Sequence, residues 1–457
     1  MSARSRMTGT AAAFFALVAA AFLLALKPSI HGNDGVQNYA YLRSLMFDGD
    51  LNFSNEYTHY FTLNADWFDN ADIPRNPATN LPVNLYGIGN SLLWAPWVIV
   101  FHSAGLAANA LGAHWTLDGY SPLYEHAVGT ASCFYASAGL VMLFFLIRRY
   151  YTDDETMWGL VIIWLASPLF FYMCLHPSMS HANSFFLSSL FLCLYLGGDG
   201  LRRWAALGAV VGLMTLTRYQ DAALLTALVP GELWRCHEML RNTPVSETSD
   251  IIRRRSMRYV LFVVTAILFF SPQLLVWNIL QGNPWSGPQA YLTQGHINLL
   301  APSHVFSVLF SPLHGLLYWH PALALALTGW FMGISFRREK LICFMAFAAQ
   351  LWVVSSWSHW WAGASFGQRM FISALPFLAI GAASFVHVCR HRAVLTRTVI
   401  LLLVLWNFGY IVQYASGMIP RQQGVALRTL VYNNIVAVPQ LMLRVITGSH
   451  QLNQQSQ

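Results

Sequence analysis

Carboxylates are concentrated in residues 30–57, IHGNDGVQNYAYLRSLMFDGDLNFSNEY, which follow the first apolar run of the chain. This stretch holds Asp34, Asp48, Asp50 and Glu56, although only 10% of all residues are charged. A carboxylate beside low-dielectric lipid holds its proton more strongly than in water, which suits a general base. Asp34 is the first candidate for that role. The simpler alternative is that Asp34 is the N-cap of the next helix, but Asn33 can cap equally well.

The remaining carboxylates have more ordinary explanations. Asp48 and Asp50 flank Gly49, and such a pattern is typical of a turn that ends a helix. Nothing around Glu56 identifies its role. Asp50 and Glu56 are nevertheless retained as possible acidic partners of Asp34.

Two arginines stand where the membrane topology derived below predicts the outer surface. Arg369 ends the segment SSWSHWWAGASFGQR, and Arg218 lies between two short apolar runs. An arginine at the outer edge of a span needs an anionic partner, and a lipid phosphate is the obvious one. The alternative for either side chain is simple extension to lipid head groups.

Aromatic and histidine side chains complete the candidate site. Trp360, Trp361 and Tyr39 are candidates for stacking on a sugar or a lipid chain. His176 and His181 are five residues apart, a spacing compatible with two metal ligands in a loop, although interface histidines of this kind usually make only hydrogen bonds. A divalent cation is therefore a possible cofactor that the sequence does not require.

The composition identifies a polytopic membrane protein. The chain has 457 residues, of which 56% are hydrophobic, and its mean hydropathy is +0.46. Soluble proteins carry about 25% charged residues. The net charge of +7 comes from short Lys and Arg clusters between apolar runs; such clusters mark topology, so nucleic-acid binding is not expected. The six cysteines form no CxxC and predict neither zinc nor a disulfide framework.

Eleven apolar runs are predicted to span the membrane. With the N-terminus in the cytoplasm, starting from Arg4 and Arg6, every basic cluster between these runs falls on the cytoplasmic side. The runs are 8–26, 126–147, 157–175, 182–197, 204–217, 221–234, 259–280, 313–334, 341–357, 370–388 and 398–416.

This topology predicts one integral-membrane domain, residues 1–457, with a first outer loop at 27–124 and an outer amphipathic tail at 420–457. The apolar run 85–107 contains Pro96 and would break the parity if it crossed, so we expect an interfacial helix there. The short runs on either side of Arg218 suggest broken helices around a cavity.

The sequence resembles the GT-C glycosyltransferase superfamily, which includes protein O-mannosyltransferases and the transferase of aminoarabinose to lipid A. HGNDG after the first span carries the resemblance, together with the blocks LMFDGDLNFSNEY, FSPLHGLLYWHP and WWAGASFGQR. The resemblance implies an all-α GT-C-like bundle in the bacterial inner membrane with a periplasmic active site. It also implies a catalytic carboxylate early in the first outer loop, which Asp34 matches. Many members carry two adjacent acids there, whereas Gly35 follows Asp34.

The predicted function is transfer of a hexose or pentose from a polyprenyl-phosphate donor to a glycan, lipid or protein acceptor, with inversion and with Asp34 as base. Two alternatives remain open. The kinked helices and intramembrane charges also suit a transporter or flippase, although no repeated halves are visible. The third is a scaffold that binds lipid-linked sugar without turnover.

Overall fold

The computed structural model describes residues 8–63, 74–242, 244–289 and 296–447 of the chain. These residues form α-helices joined by 3-10 and π turns, with two isolated β-bridges. The predicted all-α architecture is confirmed for this part of the chain. Arg4, Arg6 and the polar end at 448–457 lie outside it. The α-helices are α1 (Gly9–Ala25), α2 (Gly32–Arg43), α3 (Ser54–Leu63), α4 (Gly89–Ala110), α5 (Pro122–Ile147), α6 (Asp153–Leu165), α7 (His181–Leu196), α8 (Leu201–Thr217), α9 (Leu228–Asn242), α10 (Val245–Gln281), α11 (Val305–Phe310), α12 (Leu316–Trp319), α13 (Leu323–Phe331), α14 (Arg337–Ser355), α15 (Leu375–Val388), α16 (Ala393–Ala415), α17 (Leu427–Tyr432) and α18 (Val438–Ile446).

The apolar helices make the chain a multi-pass integral membrane protein. Two further helices, α1 and α7, are apolar but shorter than a full span. Among the described residues, the helical segments long and apolar enough to cross a membrane are Gly89–Ala110, Pro122–Ile147, Asp250–Gln281, Arg369–Ala415 and Leu427–Ile446.

The predicted count of eleven spans is not confirmed, because several predicted runs are divided. The run 157–175 consists of α6, a break at Ser167 and Pro168, and a π turn at Phe171–Leu175. The run 313–334 is split between α12 and α13 at His320 and Pro321. Proline has no N–H to donate and interrupts the helical hydrogen bonds.

Charged residues gather at one end of the bundle. Thr8, which caps α1, donates a hydrogen bond to the Asp153 carboxylate at 2.6 Å. Asp153 begins α6, which a capping box of Thr152 and Glu155 stabilises. Arg397 of α16 contacts Asp154 at 2.7 Å. The beginning of α6 and Arg397 of α16 therefore meet at the opposite end of α1 from Asp34.

Helix α4 packs antiparallel against the first half of α5. The Tyr135 hydroxyl donates to the Leu93 carbonyl at 3.0 Å, and His102 contacts the Tyr124 hydroxyl at 2.7 Å. The contacts of α4 thus follow α5 from its middle to its beginning. The interfacial placement of this helix stays a prediction.

Helix α15 occupies the centre of the bundle, and almost all of its side chains are buried. Glycines allow this density: a Cβ on Gly381 would lie 2.2 Å from the Ala326 carbonyl of α13, and a Cβ on Gly159 would lie 2.8 Å from the Ala383 backbone. Packing of this kind fixes α15 against both neighbours. The 3-10 segment Arg369–Ala374 leads directly into it. The rigid centre of the fold therefore positions Arg369.

Candidate active site

Asp34 lies in the first turn of α2 and faces two partners. Its Oδ2 contacts Nη1 of Arg369 at 2.7 Å, and its Oδ1 accepts a hydrogen bond from the Tyr86 hydroxyl at 2.7 Å. The side chain is 13% exposed. Both carboxylate oxygens are thus held in fixed directions, while one edge stays accessible.

Asn33 or Asp34 was expected to be the N-cap of α2, and this expectation is wrong. The N-cap is His31, two residues before Asn33. The helix begins at Gly32, and His31 takes the extended N-cap conformation. Gly32 has φ +70°, a left-handed conformation that glycine adopts at little cost. Asp34 is therefore free of the capping role.

Buried amides fix the position of α2. Asn38 donates to the Asp34 carbonyl at 2.6 Å, and its own amide oxygen accepts from Asn90 of α4 at 2.9 Å. The Gln37 side chain accepts from the Leu85 N–H at 2.7 Å. Buried amides must be satisfied in this way, and such networks specify one arrangement. We had not singled out these residues; the polar positions within VQN and YGIGN were the signal that could have identified them.

Arg369 is held by the loop before it as well as by Asp34. Its Nη2 donates to the Ala362 carbonyl at 2.9 Å, and its Nη1 lies 3.3 Å from the Met179 sulfur. The side chain is 11% exposed. Within the described residues its Nε is buried without a hydrogen-bond acceptor. A guanidinium with an unused donor is suited to a further anionic group.

Arg218 lies close to Arg369, because it contacts the residue that follows Arg369 in the chain. It occupies the junction between α8 and the following 3-10 turn, and donates to Ser180 at 2.9 Å and to Nδ1 of His181 at 2.7 Å. Its Nη2 lies 3.0 Å from the sulfur of Met370, which follows Arg369. The structure therefore brings the two predicted phosphate ligands to one region next to Asp34.

The close approach of residues 87–89 to the end of α8, beside Arg218, depends on two glycines. A Cβ on Gly87 would lie 2.2 Å from the Leu216 carbonyl, and one on Gly89 would lie 2.5 Å from the Thr217 nitrogen. Larger residues would force the loop away from the end of α8. These glycines thus help to place Tyr86 and Asn90 beside the candidate base.

The two predicted metal ligands make separate contacts. His181 bonds to Arg218, whereas Nδ1 of His176 lies 3.0 Å from Nε2 of His31. Burial lowers the pKa of His31 to about 4, with further contributions from Lys27 and Arg421. The part of the chain that the structure describes forms no group of three or more His, Cys, Asp or Glu side chains that would hold a metal.

The proposed acidic partners of Asp34 lie at the far end of α2. Glu56 is fully buried and bonds to Arg43 at 3.0 Å, and Asp48 contacts the same guanidinium. Burial raises the pKa of Glu56 to about 7, since desolvation outweighs the hydrogen bond from Arg43. The Asp50 carboxylate accepts from the Ser44 hydroxyl at 2.8 Å. These contacts hold the helix exit together.

Tyr39 cannot stack on a ligand, and this prediction is wrong. It is fully buried, and its hydroxyl donates to the Gly119 carbonyl at 2.8 Å. Every residue of α2 from Gly35 to Arg43 is buried, so this part of the helix is packed on all sides. Trp360 and Trp361 belong to the loop before Arg369. In this loop the Gln368 side chain donates to the Trp360 carbonyl at 3.0 Å.

The fold resembles that of solved membrane proteins. The crystal structure of ArnT from Cupriavidus metallidurans bound to undecaprenyl phosphate aligns with a TM-score of 0.57 and 15% identity, covering 98% of this chain and 73% of that chain. The apo structure of the same protein aligns with a TM-score of 0.50 and 14% identity, covering 94% and 76%. The predicted resemblance is confirmed at the level of the fold, which this chain shares with ArnT. No protein-family model and no curated protein matches the sequence.

Proposed function

We propose that this protein is a glycosyltransferase that moves a sugar from a polyprenyl-phosphate donor to an acceptor hydroxyl at the outer face of the membrane. The observation that carries the proposal is the Asp34–Arg369 contact at 2.7 Å, next to Arg218, on a fold shared with ArnT. A carboxylate supplies the base, and two guanidinium groups supply charge for a phosphate. Undecaprenyl phosphate bound to ArnT supports a lipid phosphate as the ligand class.

The chemistry follows from these three side chains. Asp34 accepts the proton of the acceptor hydroxyl, whose oxygen then forms a bond to the anomeric carbon. The bond from that carbon to the phosphate oxygen breaks, and its electron pair leaves with the polyprenyl phosphate. Arg369 and Arg218 stabilise the charge that develops on this leaving group. A single displacement inverts the anomeric centre.

The ion pair between Asp34 and Arg369 has a role in this series of reaction steps. Without donor, Arg369 neutralises Asp34, which a mostly buried carboxylate requires. A donor phosphate draws the guanidinium away from Asp34, and this releases the carboxylate toward the acceptor. Tyr86 continues to orient the carboxylate through Oδ1. Donor binding thereby prepares the base.

A divalent cation does not fit the side chains around Asp34 well. Both carboxylate oxygens already have partners, and the neighbouring charged groups are arginines rather than further acids. Arginines perform the charge neutralisation that a metal otherwise provides. No step of the proposed reaction is assigned to a metal.

The test is transfer by purified enzyme supplied with polyprenyl phosphates carrying hexoses or pentoses and with membrane glycan, lipid and protein acceptors. Asp34→Asn keeps the shape of the side chain and is expected to lower transfer at least 100-fold while donor binding persists. Asp250→Asn is the matched control, because Asp250 is exposed and lies in the predicted cytoplasmic segment.

Two results would contradict the proposal at different levels. Unchanged transfer by Asp34→Asn would remove Asp34 as the base. Failure of the parent enzyme to transfer any of these sugars would favour a transporter or a lipid-sugar-binding scaffold instead.

A further inference from the structure

A second polar cavity lies far from Asp34. It has a volume of about 380 Å³ and is located between the end of α13, the beginning of α14 and the end of α15. This is within the size range of ligand pockets in proteins. Its polar lining residues include Ser335, Lys340, Ser384, His387, Arg390 and His391.

The cavity and the candidate active site lie at opposite ends of one continuous helical segment. Arg369 begins the segment, and His387 lies near the end of α15. At the usual rises of 3-10 and α-helices, this length corresponds to roughly 30 Å. The hydrocarbon core of a bilayer has about the same thickness. If Asp34 faces the periplasm, the cavity faces the cytoplasm.

The lining of the cavity is basic. Lys340 is only 4% exposed, and among the described residues its ammonium has one hydrogen-bond acceptor, the Met332 carbonyl at 2.6 Å. An ammonium has three N–H donors, so two remain. Ser384 donates to the same carbonyl at 3.3 Å. The Met332 carbonyl oxygen thus accepts hydrogen bonds from both the Lys340 ammonium and the Ser384 hydroxyl.

The lining of the cavity also carries an arginine that contacts a histidine. His387 contacts the Glu155 carboxylate through Nδ1 at 2.8 Å, and its Nε2 accepts from Arg390 at 2.8 Å. This pattern requires the tautomer with the proton on Nδ1. Glu155 is therefore occupied by His387, and none of the described residues that line the cavity is acidic. The charge of Arg390 remains available on the cavity side.

The backbone beside the cavity also favours an anion. The helix α14 begins beside the cavity, and its N-cap residue Phe336 has φ +59° and makes no side-chain cap. The first N–H groups of an uncapped helix lack partners and favour an anion.

We propose that this cavity binds a phosphate-bearing anion at the membrane face opposite the candidate active site. Lys340 and Arg390 donate to the phosphate oxygens. The source is either the head group of an anionic phospholipid or a soluble phosphate compound. Basic pockets between helices on the cytoplasmic side are known to bind lipid head groups. The inference is independent of the proposed transfer reaction.

The experiment uses the full chain in detergent and measures bound ligand by native mass spectrometry. Phosphatidylglycerol is the lipid probe, phosphatidylcholine is its zwitterionic control, and glycerol 1-phosphate is the soluble probe. Parent protein is expected to retain phosphatidylglycerol or glycerol 1-phosphate. Lys340→Gln and Arg390→Gln are each expected to weaken that binding at least 10-fold.

Arg392→Gln is the matched control, because Arg392 is exposed, lies in the same 3-10 turn and does not line the cavity. Arg390 is itself exposed, so Arg390→Gln remains informative if Lys340→Gln fails to fold. Selective loss of lipid binding assigns the site to a head group, and selective loss of glycerol 1-phosphate assigns it to a soluble ligand. Binding that is equal in parent and both variants, or that is absent for both probes, would overturn the proposal.

Discussion

The Asp34 carboxylate and the Arg369 guanidinium are separated by 335 positions in the chain and meet at 2.7 Å. Asp34 stands on the helix that follows α1, whereas Arg369 begins the segment that leads into the central helix α15. Both side chains are mostly buried, so neither charge is stable there without the other. The contact therefore joins the first outer loop to the centre of the bundle and places the candidate base at this junction.

Arg369→Gln is expected to weaken binding of a polyprenyl-phosphate donor by about 10- to 100-fold, since a charge-assisted contact contributes roughly 1.5–3 kcal/mol. Binding of the acceptor should change much less. Equilibrium binding of labelled donor and acceptor measures both effects. The control is Arg428→Gln, an exposed arginine in the C-terminal helices. Equal losses for donor and acceptor would show that Arg369 does not act as a phosphate ligand.

The same variant should also destabilise the protein, because it leaves Asp34 buried without its cation. Combining Asp34→Asn with Arg369→Gln removes both charges and is expected to recover thermal stability relative to Arg369→Gln alone. Donor binding should not recover. A double variant as unstable as the single one would mean that the pair contributes little to the fold.

Tyr86→Phe is expected to lower kcat about 10-fold and to leave the KM for the donor unchanged. The hydroxyl bonds only to Oδ1 of Asp34 among its described contacts, so its loss frees the carboxylate to rotate. Arg369 and Arg218, the proposed phosphate ligands, are not altered. The control is Tyr57→Phe, whose hydroxyl donates to the Val83 carbonyl in the same loop. A rise in KM at constant kcat would instead connect Tyr86 with donor binding.

Glu56 should make the stability of the first outer loop depend on pH. Its pKa is raised from 4.5 to about 7 by burial, so the folded state binds the proton more tightly than the unfolded state. The resulting stabilisation is complete below pH 4.5 and is lost as the pH rises through 7. It amounts to at most about 3 kcal/mol.

Thermal unfolding in detergent between pH 4.5 and 7.5 measures this effect. The midpoint of the parent should fall by several degrees more than that of Glu56→Gln over this range. Asp50→Asn changes an exposed carboxylate of the same loop and should behave like the parent. Identical pH profiles for parent and Glu56→Gln would remove Glu56 as the titrating group.

The sequence was sufficient to identify the class of fold and the residues of the central contact. Asp34, Arg369 and Arg218 were recognisable because charges are rare in an apolar chain and these three lie next to spans. The distance between Asp34 and Arg369 was not predictable, because it depends on packing between helices far apart in sequence. Tyr39 was misread because its sequence context does not show that α2 is buried on all sides from Gly35 to Arg43.

The amide network around Asn38 shows a different limit. Asn, Gln and Ser in an apolar segment signal buried hydrogen bonds, but their partners lie on other elements. The divided spans were also not evident from hydropathy, which averages over breaks such as that at Pro168. The polar residues of the site were therefore easier to predict from the sequence than the points at which helices are interrupted.

The orientation of α4 tests the predicted topology. If α4 lies in the outer half of the membrane, the segments before and after it face the same side. Thr58 and Thr116 are exposed positions on either side of α4, and Asp250 is exposed in the predicted cytoplasmic segment. Single cysteines at these positions, in a background without the six native cysteines, are expected to differ in their reaction with a membrane-impermeant maleimide on cells with a permeabilised outer membrane. Thr58→Cys and Thr116→Cys should react in intact cells, whereas Asp250→Cys should react only after lysis. Modification of Thr58→Cys and Thr116→Cys from opposite sides would mean that α4 crosses the membrane and that the parity of all later spans is reversed.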